Sequence, residues 1–196
     1  MKHLCIVVAS ILLAVQTNTT FAQESKSFST YKGWDISYRE NSDGDPFQCS
    51  GFTQYEGGMG IFIGFERFTN GDGMFMNLAH KAWKSIEDKK EYEIKIEFPR
   101  RSPWTMTADG YTTSSGYFGI SMDYVFDDDV FEFISDFKKT TGMDISVQGN
   151  KIGSFTLKGS MGMMNEVARC FKQKVVEPSR DPFSSSSSSS SDPFDL

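Results

Sequence analysis

Cysteine, histidine and long apolar runs are all scarce in this 196-residue chain, and each shortage removes a class of chemistry. Of three cysteines and two histidines, Cys5 and His3 lie in a leader that reads as an export signal. Lys2 and His3 form a short polar start, and Leu4 to Val15 is an apolar run too short to cross a bilayer as a helix. Thr20-Phe21-Ala22 then supplies a small-x-small cleavage pattern. Cleavage after Ala22 leaves a mature chain of 174 residues in which His80 is the sole histidine and Cys49 and Cys170 the sole cysteines. An even cysteine pair in an exported chain implies one disulfide, which leaves no thiolate for nucleophilic or zinc chemistry. A single histidine without a partner constellation argues against acid–base catalysis, so His80 is expected to be structural or at the surface. No second apolar run is long enough for a membrane span, so the chain after leader removal is expected not to be transmembrane. No cofactor motif is present, and none is expected to be bound. The mature chain carries 26 acidic and 19 basic residues, a formal charge of −7 once Lys2 has left with the leader. That balance disfavours nucleic acid and points to a protein or envelope component as partner.

What the chain does have is aromatic residues, with 18 Phe, seven Tyr and three Trp, enough to fill the core of an antiparallel sheet. Glu24 to Tyr31 reads as a polar lead-in. Gly33–Tyr38, Phe47–Tyr55, Met59–Phe65 and Met74–Leu78 read as strands separated by Gly, Asn, Asp and Pro turns. Tyr92 to Phe98 alternates apolar with charged residues without a fault, the mark of a strand with one wet face. Trp104–Ala108 and Tyr117–Met122 continue the series around a polar turn from Asp109 to Gly116. The period then changes to 3.6, with Val130, Phe133, Ile134 and Phe137 on one helical face, Asp127–Asp129 ahead of it and Lys138–Lys139 behind. Asp144–Val147 and Ile152–Leu157 read as a hairpin, and Ser160 as the cap of a second helix with Met164, Val167, Ala168 and Phe171 on one face. The order of these elements predicts a single α+β domain over residues 23–176. Its architecture is expected to be a curved antiparallel β-sheet, or a partly open barrel or sandwich, with two helices packed on it. From Glu177 the composition changes to two Asp-Pro-Phe motifs, at Asp181, Pro182, Phe183 and at Asp192, Pro193, Phe194, flanking eight serines. Residues 177–196 are therefore expected to be a disordered tail. Its paired motifs resemble the ligands of eukaryotic endocytic adaptor appendages, where repetition on a flexible spacer gives avidity.

The export signal, Trp34, the Cys49 strand, the late strand pair and Phe155-Thr156-Leu157-Lys158-Gly159-Ser160 ahead of a helix together resemble the invasion-associated locus B family. That resemblance implies a periplasmic or secreted, non-catalytic, β-rich domain, linked in some members to bacterial invasion of host cells. It supplies no catalytic residues to carry over.

Several residue groups carry chemistry and are weighed against plainer roles. Arg100 and Arg101 beside Trp104 can receive an anionic group of a partner, or can simply be solvated at the end of a strand. Asp127, Asp128 and Asp129 can hold calcium, although dipole and capping roles at a helix start are the simpler account. Asn41 to Asp45 has oxygen ligands but not the spacing of an EF-hand, and reads as a turn. Met161, Met163 and Met164 can face copper, but read first as adaptable core residues. These features lead to an exported, non-catalytic binding protein of the envelope or host-cell interface. The alternatives are an envelope hydrolase with two carboxylates roughly 5–10 Å apart, and an inhibitor or immunity-type protein that uses a loop such as Asp109–Gly116.

Overall fold

The computed structural model describes residues 25–177; the expected leader with its cleavage site and both Asp-Pro-Phe motifs lie outside them. Ten strands form one antiparallel sheet: β1 (Ser25–Tyr31), β2 (Trp34–Glu40), β3 (Pro46–Gln54), β4 (Gly60–Phe68), β5 (Gly71–His80), β6 (Glu91–Glu97), β7 (Trp104–Thr112), β8 (Phe118–Val125), β9 (Gly142–Val147) and β10 (Asn150–Thr156). Helix α1 (Asp128–Lys139) separates β8 from β9. Helix α2 (Ser160–Phe171) follows β10 and ends in a π-helical turn, Lys172–Val176. The molecule is mostly β, an open curved sheet carrying two helices.

The strand order β1-β2-β3-β4-β5-β8-β7-β6-β9-β10 records two departures from a simple meander. After β5 the chain crosses to β6 and returns through β7 to pair β8 with β5. Helix α1 then carries it back over β7 and β6 to β9. The alternation of β6 predicts its faces correctly: Tyr92, Ile94 and Ile96 are buried, while Glu91, Glu93 and Glu97 are exposed. Cross-strand register aligns Ile61, Leu78 and Ile120, and beside them Ile63, Met76 and Met122, into apolar rows across β4, β5 and β8. These rows belong to one core that also takes in both helices.

Each helix buries the stripe its period dictates. On α1, Val130, Phe133, Ile134 and Phe137 turn inward, and Phe133 meets Phe98 and Trp104 while Phe137 meets Trp34. On α2, Met163, Met164, Val167, Cys170 and Phe171 turn inward, and Phe171 meets Phe65 of β4, while Ala168, expected on that face, is exposed at its margin. Gly51 makes room for α2, because a Cβ there would sit 2.3 Å from the Met163 sulfur. Cys49 of β3 is bonded to Cys170 in the last turn of α2, with Cα atoms 6.1 Å apart.

Three sequence expectations shift. Residues 25–31 form edge strand β1 rather than a lead-in: the backbone pairs with β2, and Phe28 and Tyr31 pack against the core. Strand β7 runs to Thr112, so the turn narrows to Thr113–Tyr117, where the Thr113 hydroxyl accepts from the Tyr117 N–H at 3.0 Å. Gly159, with φ of 87°, occupies the cap of α2 in place of Ser160, whose N–H already donates to Leu157 and whose side chain is buried.

Candidate functional site

The open sheet curls until β10 comes alongside the β2–β3 end. Trp34 donates its indole N–H to the Lys158 carbonyl at 3.2 Å, and the Tyr55 hydroxyl donates to the Thr156 carbonyl at 2.7 Å. The Tyr55 and Phe155 rings meet edge-on at 5.0 Å. Between these bridges lies a cleft of about 810 Å³, lined by Trp34, Tyr55, Met59, Trp83 and Phe155, with Lys32, Glu56 and Lys158 among the charged lining residues. Burial pushes the Tyr55 phenol up to about 12, so its hydroxyl stays protonated and keeps its bond to Thr156.

The backbone of β10 contributes to the same cleft. Leu157 N–H donates to Thr141, on the β9 side, whereas the Thr156 carbonyl faces Tyr55. Because backbone polar groups alternate sides along an antiparallel strand, Ser154 presents its N–H and carbonyl to the cleft as Thr156 does. Among the described residues β10 pairs only with β9.

His80 lines the cleft as a tie. Its Nδ1 accepts from the Ala82 N–H at 3.0 Å and its Nε2 meets the Gly57 carbonyl, so the imidazole joins the end of β5 to the β3–β4 turn. That pairing assigns the proton to Nε2. Neither nitrogen is left to act as base or ligand.

A second groove, of about 680 Å³, adjoins the cleft where α1 ends and α2 begins. It shares Lys32, Thr156 and Lys158 with the cleft and adds Lys138, Lys139 and Asn165. On the face of the sheet turned away from the helices, Glu66 of β4 and Asp123 of β8 stand on either side of β5. Desolvation raises the pKa of both; Asp123 raises Glu66 further, and Asp109 raises Asp123. Gln48 donates to Glu66 and Ser121 to Asp123, each partly offsetting the shift.

The other sequence candidates resolve into structural roles. Arg101 and Trp104 come together on one carboxylate: the Arg101 guanidinium at 3.1 Å and the Trp104 indole N–H at 3.2 Å both meet Asp136, which is 6% exposed. Arg100 stands beside them in a left-handed conformation, exposed and outside that clamp. Asp127 caps α1 by accepting from the Val130 N–H at 2.8 Å, with Asp128 and Asp129 in the first turn. Among the described residues no group of three His, Cys, Asp or Glu side chains is arranged to hold a metal. Asn41 accepts from the N–H groups of Asp43 and Asp45 at 3.0 and 2.9 Å, the hydrogen bonding of an Asx turn. The three methionines diverge: Met163 and Met164 are in the core and Met161 is outside.

The cleft, the Glu66 and Asp123 carboxylates and the lysine groove each assemble residues from distant strands or helix ends, so no local motif announces them. Lys138 and Lys139 are visible in the sequence only as complements to the dipole of their own helix.

No family model matches the chain, and no curated protein matches its sequence. Among solved structures, invasion associated protein B from Bartonella henselae is similar at 11% identity, over 74% of this chain and 98% of that chain, with a TM-score of 0.49. No helix among the described residues is long and apolar enough to cross a membrane.

Proposed function

We propose that the mature protein is a non-catalytic binding domain, exported to the periplasm or beyond, whose ligand occupies the cleft between the two ends of the sheet. The observation that carries this reading is the composition of that cleft: aromatic and apolar lining, two lysines, and the edge strand β10. Such walls supply both burial and orientation to a ligand. The histidine in the cleft is held by backbone groups on both nitrogens, and the two cysteines are bonded to each other. The export-type leader and the closing Phe155–Ser160 motif support a place at the envelope or host-cell interface. Immobilised mature protein should retain a component of an envelope extract, and Trp83→Ala should release it without altering the circular dichroism spectrum. Equal retention by both proteins removes the cleft as the site; retention of nothing removes the binding reading.

A second reading, an envelope hydrolase, is favoured by one observation: the raised Glu66 and Asp123 carboxyls share a sheet face, and raised acids are what proton donation near neutral pH requires. Turnover of peptidoglycan that is abolished by both Glu66→Gln and Asp123→Asn would put this reading first.

A further inference from the structure

The lysine groove departs from the character of the whole chain. In a protein of net negative charge it gathers Lys32, Lys138, Lys139 and Lys158 and contains no carboxylate. Some lysines elsewhere are matched to acids, as Lys95 is to Glu97 and Lys151 to Asp144, and among the described residues none of these four is in an ion pair. Three separate segments converge to place them: the β1–β2 turn, the last turn of α1 and the β10–α2 link. Lys32 stands over the Tyr31 ring, but no carboxylate answers any of the four, so these ammonium groups repel one another and gain from a shared anionic partner.

We propose that this pole of the molecule docks on an anionic phospholipid surface. Charge complementarity sets the sign of the partner, and Met161 selects among anions. It lines the same groove yet is 51% exposed, an apolar side chain standing among lysines, as residues at the headgroup–acyl boundary do. A soluble phosphate offers nothing for that side chain to bury against. Lysine, a flexible point charge, also suits a mobile layer of headgroups better than the fixed fork of arginine. Orientation follows from α1, which sets Asp127–Asp129 about 14–18 Å along its axis from Lys138 and Lys139. That exceeds the Debye length of about 8 Å at physiological ionic strength, so the acidic end does not cancel attraction at the basic end. This inference goes beyond the cleft reading, because Lys138, Lys139 and Met161 line the groove and not the cleft.

Sedimentation of the mature protein with phosphatidylcholine vesicles, with and without about a third phosphatidylglycerol, tests it. Binding should require the anionic lipid and weaken with added salt. Lys138→Gln with Lys139→Gln should lower the affinity on the order of 30-fold, at about 1 kcal/mol per lysine and 1.36 kcal/mol per decade. Met161→Asp should weaken it separately, and both variants should keep the native circular dichroism spectrum. Trp83→Ala should bind vesicles normally, so loss of the cleft ligand and loss of the lipid are read independently. Absence of a preference for anionic vesicles overturns the proposal, as does unchanged vesicle binding by the lysine variant. Binding to soluble glycerol phosphate as tight as to vesicles, and indifferent to Met161→Asp, also overturns it in favour of a soluble ligand.

Discussion

Opening the Cys49–Cys170 bond should remove a large share of the stability while leaving the fold assembled. The bond spans a sequence separation of 121, and the chain-entropy relation for a loop of that size gives about 5 kcal/mol at 25 °C. A typical domain has only about 5–15 kcal/mol in total. The replacement must also be filled: both half-cystines are fully buried, so Cys49→Ala with Cys170→Ala leaves a void where two sulfurs stood. Other contacts still hold α2 to the sheet, among them Met163 against Gly51, Phe171 against Phe65, and the Ser29 hydroxyl donating to Glu166. The double variant should therefore keep its circular dichroism spectrum at 25 °C, lose about 5 kcal/mol in urea unfolding, and melt about 10–20 °C lower. Thiol titration of the denatured native protein without reductant should find no free thiol. A loss below about 1 kcal/mol, or two free thiols in the native protein, would refute the claim that this bond limits the unfolded chain.

Gly64→Ala should destabilise far more than Gly51→Ala, by about 3 against about 1 kcal/mol. The first Cβ would lie 2.0 Å from the Cys49 carbonyl oxygen, which is backbone, and the second meets only the movable Met163 thioether; urea midpoints in the reverse order would show the sheet to be looser than described. Glu66→Gln should flatten the pH dependence of stability. The folded Glu66 carboxyl binds its proton more tightly than the unfolded one, so its contribution is present at low pH and lost as pH rises through the raised value. Unfolding midpoints between about pH 4 and about pH 7 should thus fall more steeply in the native protein than in the variant, and parallel curves would count against the desolvated carboxyl. Truncation before Pro178 should leave the melting temperature almost unchanged, since the core side chains are supplied by Trp34 through Val175. A marked drop would mean that the tail packs on the domain, and loss of a partner on truncation would assign that partner to the Asp-Pro-Phe motifs.

Local order was the legible part of the sequence. The fault-free alternation at Tyr92–Phe98 and the i, i+3, i+4, i+7 spacing of Val130, Phe133, Ile134 and Phe137 located β6 and α1, because burial on one face imposes those periods. Strand β1 escaped because Ser25–Thr30 holds a single aromatic among polar residues, and its pairing with β2 comes from backbone groups that any side chain allows. The strand order was equally hidden. Pairing of β5 with β8 rather than β6 joins strands separated in sequence by two others, a long-range choice with no local signature. Sites followed the same division. His80 was legible as structural by elimination, whereas the joint use of Asp136 by Arg101 and Trp104 depends on a helix docking against a loop some thirty residues away, as the separation of 32 between Trp104 and Asp136 records. Net charge misled in one respect: a total of −7 says nothing of where four lysines cluster.

The two ends of the described chain leave from the side of the sheet opposite the cleft. Ser25 lies across from Arg39, which is followed in register by Gln48 and Glu66, and the neighbouring Arg67 donates to the Val175 carbonyl just before Glu177. The Lys32–Gly33 turn that lines the cleft is at the other end of β1 and β2, about 20 Å away for strands of seven residues. Anything joined directly at Ser25 or at Glu177, whether an affinity handle, a fluorescent reporter or a surface anchor, therefore holds the domain by its back. A support that grips such a handle leaves the cleft open to solution, so capture experiments should give the same result whether Ser25 or Glu177 is tethered.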